Sequence, residues 1–208
     1  MRALKKLPAP EVLVANQQVW TERYLAAKEA KAKLPNVWGH DQIRDALERE
    51  TDSRCAYCDS HMSQVTYAHI EHYKPRSTYP ELVVDWDNLT VACPRCNSSK
   101  SDTFSEDLPF ITPFSDIPDD HFVFFGDLVL SPASQRGEYT IQVLGLNHED
   151  LVAARRRRLQ SIIQLAKAWF DAPELLKPGV LGEIRRQLDE GEYVASVRSL
   201  LQSLKIPL

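Results

Sequence analysis

The apolar positions of this chain change period several times, and each change marks an element. Between about Asn16 and Leu34, Val19, Trp20, Tyr24, Leu25 and Ala27 recur at helical spacing among good helix formers, and Pro35 ends the run. Residues 1–15 carry Pro8 and Pro10 without a clear period and read as an extended arm. Asp41 is suited to cap a second helix with Ile43, Ala46 and Leu47 on one face and an end near Arg49 or Glu50. The period then shortens. Val65 to Ile70 alternates in part and predicts a short strand; Tyr73 to Pro80 reads as a loop; Leu89 to Ala92 is a second short apolar segment. A short helix is expected after Cys96, so the middle of the chain reads strand, loop, strand, helix.

Residues 104–120 hold Pro109, Pro113 and Pro118 and read as a wrapping loop. Phe122 to Leu130 predicts a hairpin turning at Gly126, and Tyr139 to Leu144 predicts a further strand. Asn147, with Asp150 three positions on, predicts the N-cap of the longest helix, which runs to about Phe170. Its apolar face is Leu151, Leu159, Ile162, Ile163, Ala166, Trp169 and Phe170. Pro173, Pro178 and Gly179 precede two short helices, about Leu181–Asp189 and Tyr193–Lys205. The expected class is α+β. A central module, residues 55–103, lies between helical regions 1–54 and 147–208, with residues 104–146 as a loop and short-strand wrap.

Composition narrows the function. At 43% hydrophobic and 26% charged over 208 residues, the chain reads as an ordinary soluble protein. No apolar run approaches bilayer length and no signal-peptide core is evident, so no membrane role and a cytoplasmic location are expected. The net charge of −4 argues against strong autonomous binding to nucleic acid. Residues 55–102 sharpen this point, with basic Lys74, Arg76, Arg95 and Lys100 set against acidic Asp59, Glu71, Glu81, Asp85, Asp87 and Asp102.

All four cysteines sit in two C-x-x-C pairs, Cys55/Cys58 and Cys93/Cys96. In an intracellular chain that spacing points to a tetrahedral structural Zn²⁺ site rather than to disulfides. His61 lies near Cys58 but is expected on the surface, since four thiolates already complete such a site. Between the pairs stands His69-Ile-Glu71-His72. In a strand His69 and Glu71 share one face and His72 the other. Glu71 offers a hard oxygen for Mg²⁺ or Mn²⁺, and His72 is a candidate general base; the same fragment also fits ordinary surface or packed histidines.

The order Cys pair, Glu71-His72, Asp87-Asn88-Leu89, Cys93-Pro-Arg-Cys96-Asn97, Lys100 resembles the HNH endonucleases, the zinc-stapled ββα-metal nucleases. The resemblance places His72 at the first position of the signature, Asn88 at the middle and Asn97 at the last, where the family often has His. It implies that His72 activates water, Glu71 and Asn97 hold a catalytic Mg²⁺ or Mn²⁺, and Asn88 holds the loop that orients His72. His69 is a second ligand, a phosphate contact or a packing residue, and Lys74, Arg76, Arg95 and Lys100 are candidates for phosphates. The wording of His69-Ile-Glu-His-Tyr-Lys-Pro75, Trp86-Asp-Asn-Leu89 and Cys96-Asn-Ser-Ser-Lys100, with Thr140-Ile and Gly145-Leu-Asn147 further on, is similar to the retron- and Septu-associated (PtuB-like) HNH proteins. That likeness implies DNA as substrate, anti-phage defence as the setting, and an ABC-type, SMC-like ATPase as partner, which would relieve the charge problem. Arg155 to Arg158 is the one basic run; as a helix it spreads around the axis and reads as a solvated face, a docking surface or a DNA contact. Two other readings stand beside this one: a zinc-ribbon scaffold without catalysis, and a stand-alone restriction-type HNH enzyme.

Overall fold

Proline and capping residues, more than apolar period, set where the helices begin. The computed structural model describes residues 1–62 and 68–207. Helix α1 (Glu11–Glu29) starts earlier than its apolar period, because Pro10 sits extended at the N-cap where a missing N–H does no harm. It ends before Pro35, where Lys31 turns left-handed. Helix α2 (Asp41–Thr51) buries Ile43, Ala46 and Leu47 as its pattern requires. Strands β1 (His69–His72) and β2 (Leu89–Ala92) pair antiparallel, with Glu71 opposite Thr90 and His72 opposite Leu89. The expected strand from Val65 lies partly outside the described residues. Helix α3 (Pro94–Lys100) follows at once, with Pro94 in its first turn and the Cys93 sulfur capping Cys96 N–H.

The wrap carries a hairpin, β3 (Val123–Phe125) and β4 (Leu128–Leu130), which turns at Gly126 with φ +58°. Two expectations fail beyond it. Tyr139 to Leu144 is not a strand but part of helix α4 (Gln135–Leu144). Its β-branched residues suggest extension, yet Ser134 caps Gly137 N–H, Gly145 closes the helix at φ +59°, and Gly137, Thr140 and Leu144 are buried on one face. Nor is Asn147 a cap. His148 caps helix α5 (Glu149–Asp171), while the Asn147 amide donates to Val129 O (2.7 Å) and accepts from Val129 N–H (2.9 Å), acting as a short substitute strand beside β4.

Helices α6 (Lys177–Glu190) and α7 (Val194–Ser203) pack on α5 through Ile162, Ala166, Ile184, Leu188, Val197 and Leu201. A separate and larger core joins α1, α2, the two-stranded unit, the wrap and α4 through Leu13, Tyr24, Ile43, Leu47, Val91, Phe110 and Leu144. Among the described residues this makes a mixed fold of seven α-helices and two two-stranded sheets. The basic run is divided among structural tasks. Buried Arg155 donates to Leu146 O, Arg156 pairs with Asp127, and Arg158 bonds Gln187. No described helix is long and apolar enough to cross a membrane.

Candidate active site

The short loop of each C-x-x-C pair brings its two sulfurs together, and the β1–β2 unit with α3 brings the pairs together. All four sulfurs lie within 4.8 Å of one another and all four residues are buried. A tetrahedral ion with Zn–S bonds of ~2.3 Å needs sulfurs ~3.8 Å apart, and the Cys58 and Cys93 sulfurs stand 3.7 Å apart, so the donor set fits a metal. Sulfurs this close share protons: S–H donors from Cys55, Cys58 and Cys96 push Cys93 down, while burial pushes Cys55 up. Among the described residues no other group of three or more His, Cys, Asp or Glu side chains converges in this way. His61 is exposed, and its backbone bridges to Arg54 and donates its N–H to Glu192.

Strand alternation sends His69 and Glu71 towards α3. His69 Nδ1 lies 3.0 Å from the Asn97 amide nitrogen, and Glu71 Oε1 lies 2.6 Å from Lys100 Nζ. Asn97 and Lys100, three apart on α3, therefore face two alternate positions of β1. The Glu71 carboxyl is pushed up by burial and pulled back by Lys100, with Tyr57 OH at 3.4 Å. His72 turns the other way. Its Nε2 lies 2.8 Å from Val83 O, which makes Nε2 the protonated nitrogen and leaves Nδ1 with its lone pair. Burial lowers this imidazole to about 4, so it is neutral at physiological pH. Glu71, His72 and Asn97 line one cleft of about 290 Å³, together with Trp38, Ile70, Pro75, Arg76 and Ser98.

The loop between the strands is held from inside by Asn88. Its Oδ1 accepts from Lys74 N–H (2.7 Å), and its Nδ2 donates to Lys74 O (3.0 Å) and Leu82 O (3.2 Å). Asn88 thus fixes the residue next to Val83, whose carbonyl anchors His72.

The basic residues expected at phosphates separate on inspection. Lys100 lines the cleft but is 1% exposed, and its ammonium bonds Glu71 and His72 O (2.8 Å), forming a strut between α3 and β1. Lys74 pairs with Glu106 at 2.9 Å over the rings of Tyr79 and Phe104. Arg95 pairs with Asp150. Arg76 is exposed, sits over the Trp38 ring, and has no acidic partner among the described residues. Sequence reasoning missed Trp38, Val83 O and Tyr57 OH. The aromatic in the short Pro35–Gly39 segment was the one available signal; a backbone carbonyl carries none.

Comparison with known proteins agrees with the motif reading. Residues 55–103 match the HNH endonuclease family model. The chain is 28% identical over 214 residues to Septu protein PtuB of Bacillus thuringiensis, covering 95% of this chain and 80% of that protein. It is 25% identical over 163 residues to Septu protein PtuB of Bacillus mycoides strain KBAB4, covering 62% and 55%. A retron Vc95 protein of Vibrio cholerae serotype O1 biovar El Tor, named as an HNH endonuclease, is 26% identical over 170 residues, covering 71% and 80%.

Proposed function

Because residues 55–103 form an HNH endonuclease domain, we propose that the chain hydrolyses DNA phosphodiester bonds as the nuclease subunit of an anti-phage defence complex. The observation that carries the mechanism is the His72 ring: Nε2 is tied to Val83 O, which leaves Nδ1 with the lone pair of a base, and His72 lines the same cleft as Glu71 and Asn97. His72 takes the proton of the attacking water. Glu71 and Asn97 would hold Mg²⁺ or Mn²⁺, an ion that stabilises charge on the phosphate and the leaving 3′-oxygen when bound. Asn88 holds the loop that positions His72. Arg76, exposed on the cleft, and the exposed His69 beside Asn97 meet the phosphates; Lys100 and Lys74, already engaged, do not. Cys55, Cys58, Cys93 and Cys96 would hold Zn²⁺, which would act through stability alone.

The setting follows from charge and from the relatives. With a net charge of −4, and with most of its basic side chains near the cleft already paired, the chain lacks a broad cationic surface for capturing DNA. An ABC-type, SMC-like ATPase partner would supply it, and the Septu and retron names of the relatives support a defence setting for such a complex. The test is plasmid cleavage with Mg²⁺, with and without the partner, by wild type and by His72→Ala at matched zinc content. His72→Ala should abolish cleavage. Equal cleavage by the variant removes His72 from the mechanism, and efficient cleavage by the chain alone removes the need for a partner.

A further inference from the structure

One wall of the cleft comes from outside the HNH segment. Trp38 lies in the short connection between α1 and α2, and three groups meet its ring. His72 stands almost perpendicular to it, with centroids 5.2 Å apart and planes at 82°. The Arg76 guanidinium lies 4.6 Å from the ring centroid. Tyr24 of α1, itself 1% exposed, packs edge-on behind it at 5.9 Å and 74°. Trp38 is half-buried and lines the cleft together with Glu71, His72 and Asn97.

These contacts meet two needs that the HNH segment leaves open. A single hydrogen bond from Nε2 to Val83 O fixes one atom of the imidazole but does not by itself fix its tilt. An indole packed at right angles against that ring does. Arg76 has no acidic partner among the described residues, and an unpaired arginine on a loop samples many rotamers. The indole face gives its planar cation one preferred place beside the base.

We propose that Trp38 is a positioning residue of the active cleft, supplied by the N-terminal helical region: it sets the tilt of the His72 ring and aims Arg76 at the substrate phosphate. The proposal rests on the nuclease reading given above for the chemistry, though not for the brace itself. It follows that the catalytic unit extends beyond residues 55–103, because Tyr24 and Trp38 belong to its wall.

The test uses the full chain with metal bound, joined by its ATPase partner for the cleavage arm, comparing wild type, Trp38→Ala, Trp38→Phe and Arg76→Ala in two measurements. In steady-state cleavage of duplex DNA, Trp38→Ala should lower kcat about 10- to 100-fold, the range expected when a reacting group is misplaced by an ångström or so. Trp38→Phe, which keeps an aromatic wall, should recover most of the loss. Arg76→Ala should act mainly on KM and reduce the salt slope by about one phosphate contact. The second measurement is solvent exchange of the His72 Nε2–H by nitrogen-15 NMR, which needs no catalysis. Trp38→Ala should speed exchange at least about tenfold, as a ring free to tilt breaks its bond to Val83 O more often; Arg76→Ala should not. A Trp38→Ala protein that exchanges at the wild-type rate, or keeps kcat within about twofold of wild type, overturns the proposal. So does a Trp38→Phe protein no better than Trp38→Ala. If Trp38→Ala does not fold, Trp38→Leu takes its place with the same outcomes, since leucine fills part of the space without a ring for Arg76. If the wild type cuts no DNA even with the partner present, the nuclease reading fails while the exchange comparison still decides the brace.

Discussion

Replacing Asn88 with alanine should loosen the active site without touching substrate. The side chain makes three hydrogen bonds, from Lys74 N–H and to Lys74 O and Leu82 O, and the residue is 6% exposed. Each bond contributes a net ~1 kcal/mol, and a buried group left without its partner costs somewhat more, so Asn88→Ala should lose about 3 kcal/mol. For a chain of this size that is roughly 6–12 °C in Tm. Asn88→Asp is the sharper test because it is isosteric. It still accepts from Lys74 N–H but turns an oxygen, not a donor, towards two carbonyls, so it should lose at least as much. Urea and thermal unfolding of metal-loaded protein give the energies, and exchange of the Lys74 amide reports the loop directly. Because Leu82 O is tethered next to Val83, whose carbonyl holds His72, kcat should fall with loop protection in both variants. An Asn88→Asp protein that unfolds with wild type and keeps its Lys74 amide protected would refute this account of the loop.

Other expectations follow from the same contacts. Cys58→Ser should reduce bound metal well below one equivalent by elemental analysis and lower Tm sharply, since binding energy at such a site is folding energy; a stable, metal-free, active variant would count against the frame. Gly145→Ala should cost about 1–2 kcal/mol by urea unfolding, because the residue has φ +59° and an added Cβ would stand 2.8 Å from Ser99 Oγ. Glu50 gives a pH dependence: burial raises it above the ordinary 4.5 while Lys6, at 2.9 Å, opposes the rise. The folded chain therefore keeps that proton to higher pH than the unfolded chain. The group's contribution is full below about 4.5 and is lost as pH rises through the raised value, so Glu50→Gln should remove that fall from a stability–pH curve.

Several features of the chain were legible from spacing along the sequence. The C-x-x-C spacing places two sulfurs on one side of a tight turn whatever surrounds it, and the order of pairs, Glu71-His72 and Asn97 carried the HNH resemblance. Gly126 likewise marked the hairpin, because a turn residue acts on its immediate neighbours. Helix α4 was misread because β-branched residues dominate its second half, whereas its state is decided by caps at both ends and by Thr140 Oγ1 receiving Ile111 N–H at 2.7 Å. Lys100 looked like a phosphate ligand by residue type, but packing of α3 on β1 carries it inside, where Glu71 and a carbonyl compensate its lost hydration. Trp38 and Val83 O enter the cleft from other parts of the fold. Sequence spacing determines what neighbours along the chain can do together. Which distant groups meet is decided by how the elements close over a shared core, and no local pattern encodes that.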